Sequence, residues 1–170
     1  MRPLTSRDRD AFVAAMQASR GLHHPWVAPP ATAAAFAELL RRSRSESVEA
    51  LVACRRDDGA IVGYFNVSQI IRGPLQSAFL GYAAVAAHAG HGYMTEGMRL
   101  TLRHVFDVLR LHRIEANIQP ANVASIALAR RCGFTLEGFS ERYLKVAGRW
   151  RDHERWAIRA EQWRALQRDG

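Results

Sequence analysis

The stretch "SAFLGYAAVAAHAGHGYMTEGMRLTLRHVFDVL", residues 77–109, constrains the fold more than any other part of the chain. Its first part, "SAFLGYAAV", is almost wholly apolar and reads as a strand. Met98, Leu102, Val105, Phe106 and Leu109 then recur at helical spacing, one face of a helix of about four turns. Three glycines, Gly90, Gly92 and Gly97, cluster where strand gives way to helix. A tight connection needs one or two of them. Glycines in front of a helix also let backbone N–H groups and the positive helix end face an anion such as a pyrophosphate.

The flanking sequence sets the rest of the sheet. "VEALVAC" (48–54), a turn at "RRDDGA" and "IVGYFNVSQI" (61–70) read as strand, hairpin and strand. "RIEANI" (113–118) alternates as a half-buried strand, and residues 122–132 form a short helix closed by Gly133. "FTLEGF", "SERYLKV" and "DHERWAI" read as terminal strands, the last two joined across "AGRW". Helices are expected over 6–19 and 32–43, with an irregular loop at "HHPWVAPP" (23–30), where three prolines forbid regular pairing. The order predicts a mixed α/β sheet in a single domain, 1–170.

Composition excludes several classes. No stretch approaches the roughly 20 apolar residues of a membrane span, and the N-terminus has no apolar core like that of a signal peptide. Cys54 and Cys132 are too few for a disulfide framework and read as packed small hydrophobes, so a reduced, cytoplasmic protein is expected. The formal charge of +8 comes almost wholly from arginine and favours anionic partners. Without an aromatic-rich basic stripe, direct nucleic-acid binding is not expected. His88 and His91 stand three apart, but no cysteine or carboxylate completes a ligand set, so no metal is expected.

Two phosphate loops fail on spacing. A P-loop would end in Gly-Lys-Ser/Thr, which is absent. A dinucleotide fingerprint would place its third glycine two positions before Gly97 and would not follow an antiparallel hairpin. "LGYAAVAAHAGHGYMTEGM" instead resembles the strand, pyrophosphate loop and helix of the GNAT acetyltransferases, whose pattern Gln/Arg-x-x-Gly-x-Gly/Ala falls on Ala89 to Met94. Ala89 departs from the polar first position and Met94 from the small last one. "IVGYFNVSQIIRGPLQSAFLGY", "NVASIALARRCGF" and "GRWRDHERWAI" are similar to stretches of its Rim-type ribosomal-protein-alanine branch, so the resemblance covers nearly the whole chain. It implies a first strand close to the N-terminus.

The resemblance implies a GNAT fold and direct transfer of acetyl from acetyl-CoA to an amine, without an acyl-enzyme. It implies that backbone at Val85, Ala86 and Ala87 pairs with the pantetheine arm. It also implies that N–H groups of Gly90, His91, Gly92, Tyr93, Met94 and Thr95 hold the pyrophosphate. Asn122 matches the family asparagine on the cofactor arm, and its position also suits a helix N-cap. Ser125 matches the family serine beside the thioester sulfur, where it would protonate the leaving thiolate or orient a water. The tyrosine many members use one turn later is here Ala129. An α-amine is already partly neutral at pH 7, so a modest base suffices; Glu141 and Tyr143 are the candidates, with a water chain as the alternative. Trp26, between prolines, is a candidate for the acceptor entrance. The expected acceptor is a protein N-terminus, possibly ribosomal. A small-molecule amine or lysine side chain, and a non-catalytic CoA-binding, ribosome-associated module, are the alternatives.

Overall fold

The structure, a computed structural model, describes residues 1–168. A two-residue strand β1 (Arg2–Pro3) and a 3-10 turn (Ser6–Asp8) lead into α1 (Arg9–Ala18), α2 (Arg20–His23) and α3 (Ala33–Arg42). Strands β2 (Val48–Cys54), β3 (Ile61–Ile71) and β4 (Ser77–Ala84) follow as an antiparallel meander. A 3-10 turn (Ala86–His88) and the glycines precede α4 (Tyr93–Arg103), which continues as a π turn over His104–Val108. The chain ends with β5 (Arg113–Ile118), α5 (Val123–Arg131), β6 (Thr135–Val146), β7 (Arg149–Arg159) and α6 (Ala160–Arg168).

These strands form a seven-stranded sheet in the order β1-β2-β3-β4-β5-β7-β6, a mixed α/β architecture as expected. Helices cover both faces. On one face Phe12 of α1 meets Tyr64 edge to face, centroids 5.2 Å apart, and Phe36 of α3 packs beside it. On the other, Met98, Leu102, Val105 and Phe106 of the α4 segment pack with Phe65, Ile114, Trp156 and Trp163. Burial on both faces explains why β2 to β4 read as continuous apolar runs.

One pairing sets up the site. β4 and β5 run parallel, but they pair only from Ser77–Arg113 to Phe79–Glu115. Beyond that the strands separate, leaving Leu80–Ala84 of β4 and Ala116–Ile118 of β5 on either side of a gap. The sheet is thereby open in its middle, and the gap connects its two faces.

The C-terminal third differs from the sequence reading. "FTLEGF" and "SERYLKV" are one strand, β6, because a bulge between Ser140 and Leu144 shifts register against β7 without ending it. Arg142 takes a positive φ of 46° there, and its N–H donates to Asp152 Oδ1 at 2.8 Å. Helix α6 was not anticipated; it is short, and what makes it a helix is the burial of Ala160 and Trp163. Among the described residues no helix is long and apolar enough to cross a membrane.

Candidate active site

The glycine cluster serves two separate needs. Gly90 and Gly92 take φ values of 82° and 83°, conformations that other residues adopt only with strain. Among the described residues the N–H groups of Gly90, His91 and Gly92 have no hydrogen-bond partner, and those of Tyr93 and Met94 begin the first turn of α4, where none exists within the helix. Five consecutive donors at a helix N-terminus make an anion nest. Thr95 differs from the expectation: its N–H donates to the Gly92 carbonyl at 2.9 Å, while Oγ1 accepts from Arg131 at 3.2 Å. Arg131 thus brings a guanidinium to the nest. Gly97 is a packing residue, since a Cβ there would stand 2.7 Å from Phe65 Cε2. The unusual Met94 is also accommodated by a glycine: its Sδ lies 2.5 Å from where a Cβ on Gly63 would be.

The nest opens into a cavity of about 1010 Å³ that occupies the gap between β4 and β5. Of the sequence-predicted residues, Gly90, Gly92, Tyr93, Met94, Thr95, Asn122, Ser125 and Tyr143 border it, as does Trp26. Val85, Ala86, Ala87, His91 and Glu141 do not. Residues 86–88 form a 3-10 turn, the Val85 N–H donates to Val62 O at 3.0 Å, and the Ala86 N–H donates to Ser19 Oγ at 2.9 Å. The open strand edge therefore lies earlier, along Leu80–Ala83. Glu141 is exposed within the β6 bulge and is not among the residues that border this space.

Asn122 caps α5, its Oδ1 accepting from the Ser125 N–H at 3.2 Å. That bond fixes the first turn and leaves Ser125 Oγ facing the cavity, 2.6 Å from the Tyr82 hydroxyl. Burial pushes the Tyr82 phenol up to about 12, so it stays protonated. Ala129, one turn beyond Ser125, is fully buried in the core. A tyrosine from β4 thus reaches the serine that no tyrosine of α5 can reach. Sequence reasoning missed it, although Tyr82 is the only phenol in the run "SAFLGYAAV".

His153 was also missed. It borders the cavity at 2% exposure, and its Nδ1 lies 2.9 Å from the Arg151 carbonyl. A carbonyl can only accept, so Nδ1 carries the proton and Nε2 presents a lone pair, without a partner among the described residues. Burial lowers the His153 pKa and favours this neutral form. Tyr143 stands beside it, ring centroids 6.3 Å apart. His23, 4% exposed, donates from Nε2 to the Ala84 carbonyl at 2.8 Å, and Gln119 Nε2 donates to the carbonyls of Pro25 and Trp26 at 3.2 and 3.0 Å. These bonds hold α2 and the Trp26 loop against the cavity rim.

Among the described residues no aspartate or glutamate borders this cavity, and the lysine and arginine side chains that do are Arg131 and Lys145. Cys132 is 3% exposed, and burial pushes its thiol up to about 11, which makes it a packed residue rather than a nucleophile. No cluster of three or more metal-ligating side chains occurs among the described residues.

Comparison with known proteins agrees with this geometry. The family model described as an acetyltransferase (GNAT) domain matches residues 1–135. Probable N-acetyltransferase YjcK of Bacillus subtilis (strain 168) is 44% identical over 101 residues, 59% of this chain and 56% of that protein. The ribosomal protein uS5 alanine N-acetyltransferase of Escherichia coli (strain K12) is 36% identical over 107 residues, 63% of this chain and 55% of that one. The matches thus span about half the length of these curated relatives. Mycobacterium smegmatis RimJ, solved in complex with CoA-disulfide, superposes with a TM-score of 0.85 at 31% identity, over 99% of this chain and 88% of that one. With its opened sheet and its glycine nest at the start of α4, this chain belongs to the GNAT acetyltransferase family.

Proposed function

We propose that the protein transfers acetyl from acetyl-CoA directly to a primary amine, and that this amine is the N-terminal α-amine of a protein, with a ribosomal protein as the acceptor in the cytoplasm. One observation carries the reading: the anion nest, through Gly90, Gly92, Tyr93 and Met94, and a half-buried Tyr82–Ser125 pair border the same cavity in an opened sheet. Acetyl-CoA suits these residues. Its pyrophosphate matches the N–H groups of residues 90–94 with Arg131 beside them, and its extended arm matches the unpaired edge at Leu80–Ala83.

Bound acetyl-CoA supplies the activated acetyl group; the chain's residues position it and manage two protons. Tyr82 is held protonated, so in this reaction its hydroxyl serves as donor to Ser125 Oγ 2.6 Å away and leaves the serine's own O–H free to point at the departing sulfur. On the other side of the gap, His153 Nε2 is a neutral acceptor for the proton that the amine sheds. The relatives named for ribosomal-protein acetylation support the choice of acceptor. So does the lack of carboxylates among the described residues around the cavity, since polycationic amines would find no counter-charge from them.

Intact-mass analysis of ribosomal proteins and N-terminal peptides, incubated with the protein and acetyl-CoA, tests this. The expected result is a gain of one acetyl group, lost with Ser125→Ala and Asn122→Ala and retained with Glu141→Gln. Acetylation of small amines alone would refute the assigned acceptor. Absence of any transfer would refute the activity.

A further inference from the structure

The anion nest has a fixed positive charge on one flank, where Arg131 reaches Thr95 Oγ1 at 3.2 Å. Thr95 and Tyr93 are separated by roughly 200° around the axis of α4, so the flank marked by Tyr93 lies across the nest from Arg131. Rings stand there instead of a guanidinium. His88 meets Tyr93 edge to face, centroids 6.2 Å apart at 88°, and His91 packs against the same tyrosine at 6.2 Å and 30°. Of the two imidazoles, His88 is half-buried and borders the cavity beside Gly90, while His91 is exposed and does not border it.

The turn before the nest fixes His88 and leaves its ring free. The His88 N–H donates to Val85 O at 2.9 Å, and the Ala89 N–H to Ala86 O at 3.2 Å. Ala89 therefore offers the nest neither a free N–H nor a polar side chain, and the nearest polar side chain before Gly90 is that of His88. Among the described residues the hydrogen bonds and ion pairs of histidine rings belong to His23, His104, His112 and His153, so both ring nitrogens of His88 are available. A doubly anionic pyrophosphate in the nest meets about half a positive charge from the helix end and the full charge of Arg131. Arg55 of the β2–β3 turn lies near Tyr93, but it is paired with Asp57 and Asp58. An imidazole can supply the missing charge, because an adjacent anion favours its protonated form.

We propose that the His88 imidazole is a cofactor-binding residue that takes up a proton from solvent as CoA binds and donates a hydrogen bond to the pyrophosphate from the flank opposite Arg131. This deepens the transferase reading and rests on its placement of the pyrophosphate at residues 90–94. The consequence is a cofactor site that tightens as pH falls through neutrality. Other titratable and charged groups surround this corner. Tyr93 and Glu96 come from the first turn of α4, His91 from the loop and Arg131 from α5. Arg55 with its two carboxylates comes from the β2–β3 turn, and His23 from α2, its Nε2 bonded to Ala84 O.

Calorimetry on the full chain with CoA alone tests this, without an acceptor. In two buffers of different ionisation enthalpy at pH 7, the wild type is expected to take up more protons per CoA bound than His88→Gln. The cofactor's own titrations and the surrounding groups are common to both proteins and cancel in that difference. The wild-type Kd for CoA is expected to rise by about threefold to tenfold from pH 6 to pH 8, and that ratio should fall towards one in His88→Gln. His88→Lys, which brings a fixed charge, is expected to bind CoA at pH 8 more tightly than His88→Gln and without the extra uptake. His91→Gln is expected to keep the wild-type uptake. Equal uptake in wild type and His88→Gln, or its loss in His91→Gln instead, would overturn the assignment while leaving the transferase standing. Failure of CoA to bind the wild type would overturn both.

Discussion

Replacing Gly97 by alanine tests whether this glycine exists for packing or for ligand approach. In a helix interior the change should stabilise by about 1 kcal/mol, because glycine is the poorer helix former. The site forbids that gain. The new methyl would lie 2.7 and 2.8 Å from Cε2 and Cζ of Phe65 and 3.4 Å from Ala53 Cβ. Phe65 is fully buried, between Val62 and Val67 of its own strand and the α4 residues above it, so the ring has nowhere to turn. Overpacking of this kind costs about 1–3 kcal/mol, which exceeds the propensity gain.

Gly97→Ala should therefore destabilise by about 1 kcal/mol net, a loss of a few degrees in Tm for a chain of this size. Because α4 must lift away from β3, the nest moves with it, and the acetyl-CoA KM should rise. In a Phe65→Leu background the obstruction is gone, and the same substitution should be neutral or stabilising. Urea unfolding of the four proteins closes the cycle, with a coupling on the order of 1–2 kcal/mol. If Gly97→Ala stabilises the wild type, the clash is not real and the packing account of the third glycine fails.

The Tyr82–Ser125 pair and the N-terminal ion pair give two further tests. Tyr82→Phe keeps the ring and removes the hydroxyl that orients Ser125. It should lower kcat by about tenfold to a hundredfold with little change in CoA affinity, and an unchanged kcat would remove Tyr82 from the mechanism. Asp8 accepts from the Thr5 N–H and Oγ1 and from both Arg2 terminal nitrogens at 2.6–2.9 Å, which lowers its carboxyl from 3.8 to about 2, with the Arg2 bond the largest cause. A depressed carboxylate stabilises above its unfolded pKa and loses that contribution as pH falls through the folded one. The contribution is about 2 kcal/mol at pH 7, with about half gone by pH 3. Asp8→Asn should show that loss in urea unfolding at pH 7 and a smaller one at pH 3; equal losses would refute the linkage.

Much of the fold was legible because period and punctuation agree in this chain. β2 and β5 begin and end where "VEALVAC" and "RIEANI" do, and α5 is bounded by its Asn122 cap and Gly133. The boundaries were lost where tertiary contacts overrule local pattern. The β6 bulge survives because Asp152, ten residues on, takes the Arg142 N–H, and α6 forms because Trp163 finds the ring of Phe106, centroids 6.2 Å apart. Neither partner is visible in a local window.

The site divides along the same line. The anion nest was readable by itself, since backbone N–H groups and glycine φ values are local properties of a short stretch. Side chains that meet from distant strands were not. Ser125 matched a pattern, but Tyr82 lies 43 residues away and reaches it only because β4 and β5 separate. Glu141 had the right chemistry and the right strand, yet an irregular register turned it to solvent. His153 gains its free lone pair only from a bond to a backbone carbonyl two residues back. Sequence alone determined the kind of chemistry this protein's backbone can bind, because that depends on neighbours in the chain; which side chains face the bound group depends on strand register and opening, and only the tertiary structure decides those.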